Sequence, residues 1–142
     1  MYHKILVALD HTDSDAALLA HIAKLAWHFH SRLILLHVAD GWAARHYDKL
    51  SLVESEEMKS DRACLENTAT RLRSSGLDVS IELALGDPPT EILKAADRLG
   101  CDLIGMTTHG HRLIGDLIHG STIETVRHRT TIPMLVVRAA AK

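Results

Sequence analysis

The sequence predicts an α/β domain whose strands form a doubly wound parallel sheet. Short, continuous apolar runs alternate along the chain with longer segments of helical periodicity. Continuous apolar runs are typical of strands buried on both faces, as in a parallel sheet. Their alternation with helices predicts right-handed βαβ units. With 142 residues, the chain has the size of a single domain with one core, so we predict one domain over residues 1–142.

Five apolar runs are the predicted strands. The first, KILVALD, stops at the carboxylate of Asp10, and the third alternates in polarity before it ends at Gly86. The five predicted strands are residues 4–10, 33–38, 79–86, 102–108 and 133–138.

Four intervening segments have the periodicity of helices. In the first, apolar residues that include Ala16, Leu19 and Ala23 recur at three-to-four spacing, as expected for one helix face. Asp13 or Ser14 is the predicted N-cap of this helix. The predicted helices are residues 13–30, 54–75, 89–99 and 121–129, and residues 39–55 are the only long connection.

Composition and charge exclude several classes of partner. The formal net charge is −2, which calls for neither nucleic acid nor an anionic membrane. The chain has no apolar run near the roughly 20 residues of a membrane span, and its start lacks the features of a signal peptide. Cys64 and Cys101 form no CxxC motif and no disulfide pattern. Their arrangement favours a reducing compartment, so we predict a cytoplasmic protein.

Polar segments follow three of the predicted strands: LDHTD, HVADG and TTHGHR. Doubly wound sheets bind ligands beyond the carboxyl ends of their strands, where the strand order reverses. Asp10 lies in the first of these segments, so two roles are open to it. It either contacts a ligand or caps the helix that follows.

The segment that follows the fourth strand has the chemistry of a phosphate site. A helix predicted to begin at Ser121 would offer free backbone N–H groups and the positive end of its dipole. Gly120 would allow an anion to approach closely, and Ser121 and Thr122 would add hydroxyl donors. On spacing alone, a glycine before a helix is more often just a residue of an ordinary loop. The segment matches neither the Walker A motif nor the dinucleotide fingerprint.

Glycine spacing in this segment resembles that of the universal stress protein family, in its nucleotide-binding branch. The family pattern is Gly-x2-Gly-x9-Gly-Ser/Thr, and here Gly110, nine further residues, Gly120 and Ser121 match it. The first glycine of the pattern falls on Thr107, which is a departure. The segments ILVALDHTDSDAAL, LILLHVAD, GDPPTEIL and IPMLVVR also resemble the family, so the resemblance covers nearly the whole chain. The full fold prediction is a five-stranded parallel sheet in the order 3-2-1-4-5, with helices on both faces.

The resemblance implies binding of ATP or a related adenine nucleotide, with or without magnesium. The residues it assigns to the base and the neighbouring ribose are Ala8, Leu9, Asp10 and Val38. The residues it assigns to the ribose and phosphates are Met106, Thr107, His109, Gly110, Gly120, Ser121, Thr122 and Ile123. The Thr107 side chain would either crowd the nucleotide or offer it a hydroxyl group.

Catalytic and metal-binding residues are not evident. The chain has 11 histidines, but the pairs in HFH and HGH do not form a zinc motif, so we predict no metal site. No catalytic constellation is apparent, although Asp10 and Asp116 could together hold magnesium against phosphates. Three functions are therefore open: a nucleotide-binding stress or regulatory module, a slow ATP hydrolase or nucleotide-transfer enzyme, and a protein-binding scaffold without nucleotide.

The last predicted strand, residues 133–138, is expected at one edge of the sheet. Four apolar residues stand in a row there, with Pro133 before them and Arg138 after them. An open apolar edge tends to pair with another strand. The family resemblance implies homodimers joined through this strand, with the two copies antiparallel.

Overall fold

A computed structural model of the protein describes residues 1–39, 56–108 and 114–138. The strands are β1 (Lys4–Ala8), β2 (Arg32–Ala39), β3 (Asp78–Leu85), β4 (Leu103–Thr108) and β5 (Met134–Arg138). The helices are α1 (Ser14–Phe29), α2 (Glu56–Ser74), α3 (Pro88–Leu99) and α4 (Ile114–Arg129). The predicted alternation of strands and helices is confirmed.

The strands form one parallel sheet in the order β3-β2-β1-β4-β5, as predicted. From β1 the chain passes outward to β2 and β3, and it then returns to β4 on the other side of β1. The carboxyl ends of β1 and β4 are therefore neighbours at the point where the strand order reverses. This edge is the expected ligand site of a doubly wound sheet.

Alternate side chains of the strands enter two separate cores. Ile5 and Val7 of β1 pack with Leu18 and Ile22 of α1 and with Leu65 of α2. On the opposite side, apolar residues of the sheet pack against α3 and against Val126 of α4. We call the two sides of the sheet the α1/α2 face and the α3/α4 face. Because successive residues of a strand point to opposite faces, each sequence position at the ligand edge belongs to one face.

Local sequence signals explain the ends of α3. Asp87 is the N-cap, where its carboxylate accepts a hydrogen bond from the Thr90 backbone N–H at 3.3 Å, and prolines occupy the first helical positions. Gly100 ends the helix with φ = 69°, in the left-handed region that favours glycine.

The predicted start of the last helix is wrong. Helix α4 begins at Ile114, not at Ser121, so Gly120 and Ser121 lie inside it. A glycine in a helix interior costs only about 1 kcal/mol relative to alanine. The packing of Val126, which is fully buried, and of Ile123 against the α3/α4 core stabilises the helix as a whole. A glycine that looked like a helix boundary is thus accommodated within the helix.

No helix in the described ranges has both the length and the apolar character that crossing a membrane requires.

Candidate functional site

The turn after β1 is fixed by two carboxylates. Asp10 accepts hydrogen bonds from the backbone N–H of Thr12 at 3.1 Å and from its hydroxyl at 2.6 Å. Asp15, in the first turn of α1, accepts from the backbone N–H groups of Asp10 at 3.1 Å and of His11 at 2.9 Å. These four bonds hold the turn at the ligand edge in one conformation.

Asp15 is buried, which is unusual for a carboxylate. Burial raises the pKa of Asp15 to about 7, although the backbone N–H groups of Asp10 and His11 act in the opposite direction. Those N–H groups explain why a carboxylate is present, since each of its oxygens satisfies one donor of a tight turn. Asp15 therefore has a structural role that the sequence analysis did not assign to it.

Four of the predicted nucleotide-binding residues come together on the α3/α4 face: Ala8, Val38, Met106 and Ile123. They belong to β1, β2, β4 and α4. Met106 is buried, and the other three are half-buried. The four make an apolar group at the carboxyl end of the sheet, next to the turn that contains Asp10.

Two predicted residues lie on the other face. Leu9 is buried in the α1/α2 core. Thr107 is paired in register with Val137, which packs against that core, and the Gly105 position two residues earlier faces Ile22 of α1 at 3.1 Å. The Thr107 side chain therefore points away from Ala8, Val38 and Met106. The two roles predicted for this side chain, crowding the nucleotide or offering a hydroxyl to its ribose or phosphates, stay predictions.

The predicted phosphate-binding residues are placed only in part. His109 and Gly110 lie outside the described residues. Gly120 and Ser121 are within α4, and Thr122 is buried in the same helix. In a continuous α-helix, backbone N–H groups beyond the first turn bond to carbonyls four residues earlier. Gly120 to Ile123 are therefore not at a helix start in this conformation.

A polar cluster on the α1/α2 face was not predicted. It contains His11 from the turn after β1, His37 from β2 and Asp61 from α2. Burial is the main reason that the pKa of His11 is below its usual value, and the His37 ring lowers this pKa further. The three residues are widely separated in sequence, so local spacing carried no signal of their convergence.

The fold defines a class: a small doubly wound α/β domain whose strand order reverses between β1 and β4. Residues 1–138 match the sequence model of the universal stress protein family. The chain belongs to this family.

Two similar proteins span nearly the same length. Universal stress protein MJ0577 of Methanocaldococcus jannaschii is 28% identical over 97% of this chain and 96% of its own. Universal stress protein YxiE of Bacillus subtilis is 27% identical over 97% of this chain and 100% of its own.

Solved structures share the fold. The structure of the M. jannaschii protein MJ0577 superposes with a TM-score of 0.85, at 27% identity, over 100% of this chain and 99% of its own. A universal stress protein solved in complex with cAMP has a TM-score of 0.71 at 21% identity, and the coverage is 98% of both chains. One from Archaeoglobus fulgidus in complex with dAMP has a TM-score of 0.68 at 19% identity, with coverage again 98% of both chains.

Proposed function

We propose that this protein binds an adenine nucleotide, ATP in the first place, and acts as a stress-response or regulatory module. The observation that carries the proposal is the convergence of Ala8, Val38, Met106 and Ile123 on one face of the ligand edge. An apolar slot with a few polar groups at its rim is the usual form of a small-molecule site. The adenine nucleotides bound to two proteins of the same fold support this ligand class.

In the proposed complex the base lies against Ala8 and Val38, and Asp10 meets the polar edge of the base or the ribose. Asp10 suits this role because its carboxylate is held in place by Thr12. A group that is already ordered loses little entropy when the ligand binds. Leu9 and Thr107 contribute through their backbone, since their side chains belong to the opposite face.

The phosphates are proposed to meet the segment from His109 and Gly110 to Gly120, Ser121, Thr122 and Ile123. Free N–H groups at Gly120 and Ser121 require α4 to begin near Ser121, whereas here it begins at Ile114. We therefore propose that nucleotide binding unwinds the first turns of α4. The glycine makes this unwinding inexpensive, because its helix propensity is the lowest of any residue except proline.

We further propose that two copies pair through β5. The strand is at one edge of the sheet, and Val136 is 43% exposed there. Antiparallel pairing of two β5 strands about a two-fold axis would use the unpaired backbone groups of this edge. We also propose that the protein is cytoplasmic, as the arrangement of its two cysteines predicts.

The proposed function is tested by removing bound nucleotide and titrating ATP back by calorimetry. The variant Ala8→Leu fills the slot and should weaken ATP binding at least ~10-fold, since overpacking a site costs on the order of 1–3 kcal/mol. The matched control is Ala23→Leu, because Ala23 is also a half-buried alanine but belongs to α1, on the opposite side of the sheet. Equal ATP affinity in the wild type and Ala8→Leu would reject the slot.

Denaturing the purified protein and identifying any released nucleotide gives an independent check on the ligand. Absence of both co-purified nucleotide and measurable ATP binding would favour the scaffold hypothesis. Timed release of ADP from bound ATP would instead favour the slow hydrolase.

A further inference from the structure

We propose that His11, His37 and Asp61 form a binding site for a divalent transition-metal ion of the zinc class, on the α1/α2 face. The three residues come from three different elements and offer two imidazole nitrogens and one carboxylate oxygen. These ligand atoms all lie within 4.8 Å of one another. The site is distinct from the proposed nucleotide slot, which is on the α3/α4 face.

The distances between the histidine nitrogens and the Asp61 oxygens suit ligands of a shared metal ion better than direct hydrogen bonds. His11 Nε2 is 3.7 Å from Asp61 Oδ1, and His37 Nε2 is 3.6 Å from Asp61 Oδ2. Both separations are too long for hydrogen bonds. Zinc bonds of about 2.0–2.2 Å in tetrahedral geometry place neighbouring ligand atoms about 3.3–3.6 Å apart. An ion between the three groups therefore requires only small side-chain shifts.

His37 is oriented as metal-binding histidines usually are. Its Nδ1 is 2.9 Å from the backbone carbonyl oxygen of Leu9. A carbonyl oxygen only accepts hydrogen bonds, so Nδ1 carries the proton, and in the neutral ring Nε2 keeps its lone pair. That lone pair is on the side of the ring that faces Asp61. A histidine that donates its second N–H to a carbonyl is typical of zinc sites, where this bond fixes the ring and its tautomer.

His11 has a buried ring nitrogen that lacks a hydrogen bond. Nε2 has no hydrogen-bond partner among the described residues. Buried polar atoms nearly always have a partner, so an exception requires an explanation. The backbone of His11 is held by Asp15 and has φ = 62°, a left-handed conformation that is uncommon outside glycine. The turn thus maintains a costly conformation that brings this nitrogen to the cluster.

The close packing of the two rings argues against a cluster in which both histidines are protonated and paired only with Asp61. The centroids of His11 and His37 are only 3.8 Å apart. Two imidazolium rings at this distance, both largely buried, would repel each other, and the single Asp61 carboxylate would not neutralise both. Two neutral rings and one carboxylate around a divalent ion leave one excess positive charge and satisfy all three ligand atoms.

The ligand set indicates the class of ion. Imidazole suits zinc and its neighbours in the first transition series, whereas magnesium and calcium prefer oxygen ligands. Three protein ligands leave a fourth position for water or another small ligand. The side chains of His11, His37 and Asp61 are 14%, 15% and 17% exposed, so the cluster lies just below the protein surface.

The test uses untagged, metal-free and nucleotide-free protein, because a histidine tag and ATP both bind zinc. We expect one tight equivalent of Zn²⁺ per chain in competition with a chromogenic chelator. His37→Gln and Asp61→Asn should each weaken this equivalent at least ~100-fold, since each removes a direct ligand. The control His28→Gln removes an exposed histidine outside the cluster and should leave the affinity unchanged.

Cobalt gives a second readout that needs no variant. Co²⁺ bound to the wild-type protein should show the intense visible absorption of a four-coordinate site, and Zn²⁺ should displace it. The proposal is overturned if the wild type binds no stoichiometric Zn²⁺, if Co²⁺ shows only the weak spectrum of the aqueous ion, or if folded His37→Gln binds as the wild type does. These measurements contain no nucleotide, so a negative result leaves the ATP proposal standing.

Discussion

At the carboxyl edge of the sheet, the two faces carry different kinds of side chain. On the α1/α2 face, His11, His37 and Asp61 converge. The His11 backbone N–H donates a hydrogen bond to Asp15, and the His37 ring is bonded to the Leu9 carbonyl oxygen. On the α3/α4 face, apolar side chains converge instead. The pleat produces this difference, because His37 and Val38 are adjacent in sequence and belong to opposite faces. The same edge therefore presents a polar cluster on one face and an apolar group on the other, and the two proposed ligands are assigned to these separate faces.

The largest expected effect is on the nucleotide face. Gly120→Asp should reduce ATP affinity at least ~100-fold, because it places a negative charge where phosphate is proposed to bind. Aspartate is no worse than glycine in a helix, so the protein should remain folded. His128→Asp adds the same charge to the exposed end of α4 and is the control. Undiminished ATP affinity in folded Gly120→Asp protein, measured by calorimetry, would rule out phosphate binding at this position.

The next effect is on stability, at the turn that both faces share. Asp15→Ala leaves the N–H groups of Asp10 and His11 without their acceptor. We expect a loss of ~2–3 kcal/mol in the free energy of unfolding, measured by urea denaturation. Asp97→Ala, at an exposed position of α3, should change stability by at most ~0.5 kcal/mol. Equal stabilities of the two variants would mean that Asp15 does not hold the turn.

A conformational effect should accompany nucleotide binding. If α4 begins near Ser121 in the complex, the amides of residues 117–120, which lie beyond the first turn of the present helix, lose their helical hydrogen bonds. Hydrogen exchange of these amides should accelerate about tenfold on addition of ATP, while residues 125–129 stay protected. Uniform protection of the whole of α4 with bound ATP would show that phosphate does not use the N–H groups of Gly120 and Ser121.

A smaller effect is expected on dimer formation, at the sheet edge formed by β5. Val136→Lys places like charges near the proposed two-fold axis and should raise the dissociation constant of the dimer at least ~10-fold. Val136→Thr keeps the β-branched shape without the charge and serves as the control. Analytical ultracentrifugation over a range of concentrations measures both. A wild-type protein that is monomeric at micromolar concentration would exclude this dimer.

The smallest expected effect tests on which face of the sheet the Thr107 side chain lies. Thr107→Ser should change ATP affinity less than ~2-fold, because the Thr107 side chain is buried on the α1/α2 face. A larger change in calorimetry would place this side chain against the nucleotide, as the glycine pattern of the family first suggested.

Much of the fold was predictable because its signals are local. Continuous apolar runs identified four strands, an alternating run that ends at Gly86 identified the third, and the family resemblance gave their order. The start of α4 was not predictable in this way, since Gly120 has the chemistry of a helix boundary, and only packing of the helix against the sheet outweighs it. A glycine therefore does not mark the boundary of a helix where tertiary contacts compensate for its low helix propensity.

The grouping of candidate site residues on one face was predictable only where family spacing and strand pleat agree. Ala8, Val38 and Met106 were expected at the site and share one face. Motif spacing placed Thr107 with them, although alternation from Gly105 to Thr107 puts that side chain on the α1 side. The cluster of His11, His37 and Asp61 was missed because its members meet only after the sheet and α2 have packed.

The most direct test of the separation between the two faces uses the adjacent residues His37 and Val38. ATP and Zn²⁺ affinities are measured separately, by calorimetry, for the wild type, His37→Gln and Val38→Asp. We predict that Val38→Asp loses at least ~10-fold in ATP affinity and keeps its zinc affinity, because a buried charge is placed only in the apolar slot. His37→Gln should lose zinc and keep ATP affinity within ~2-fold. Parallel loss of both ligands in either folded variant would contradict the account.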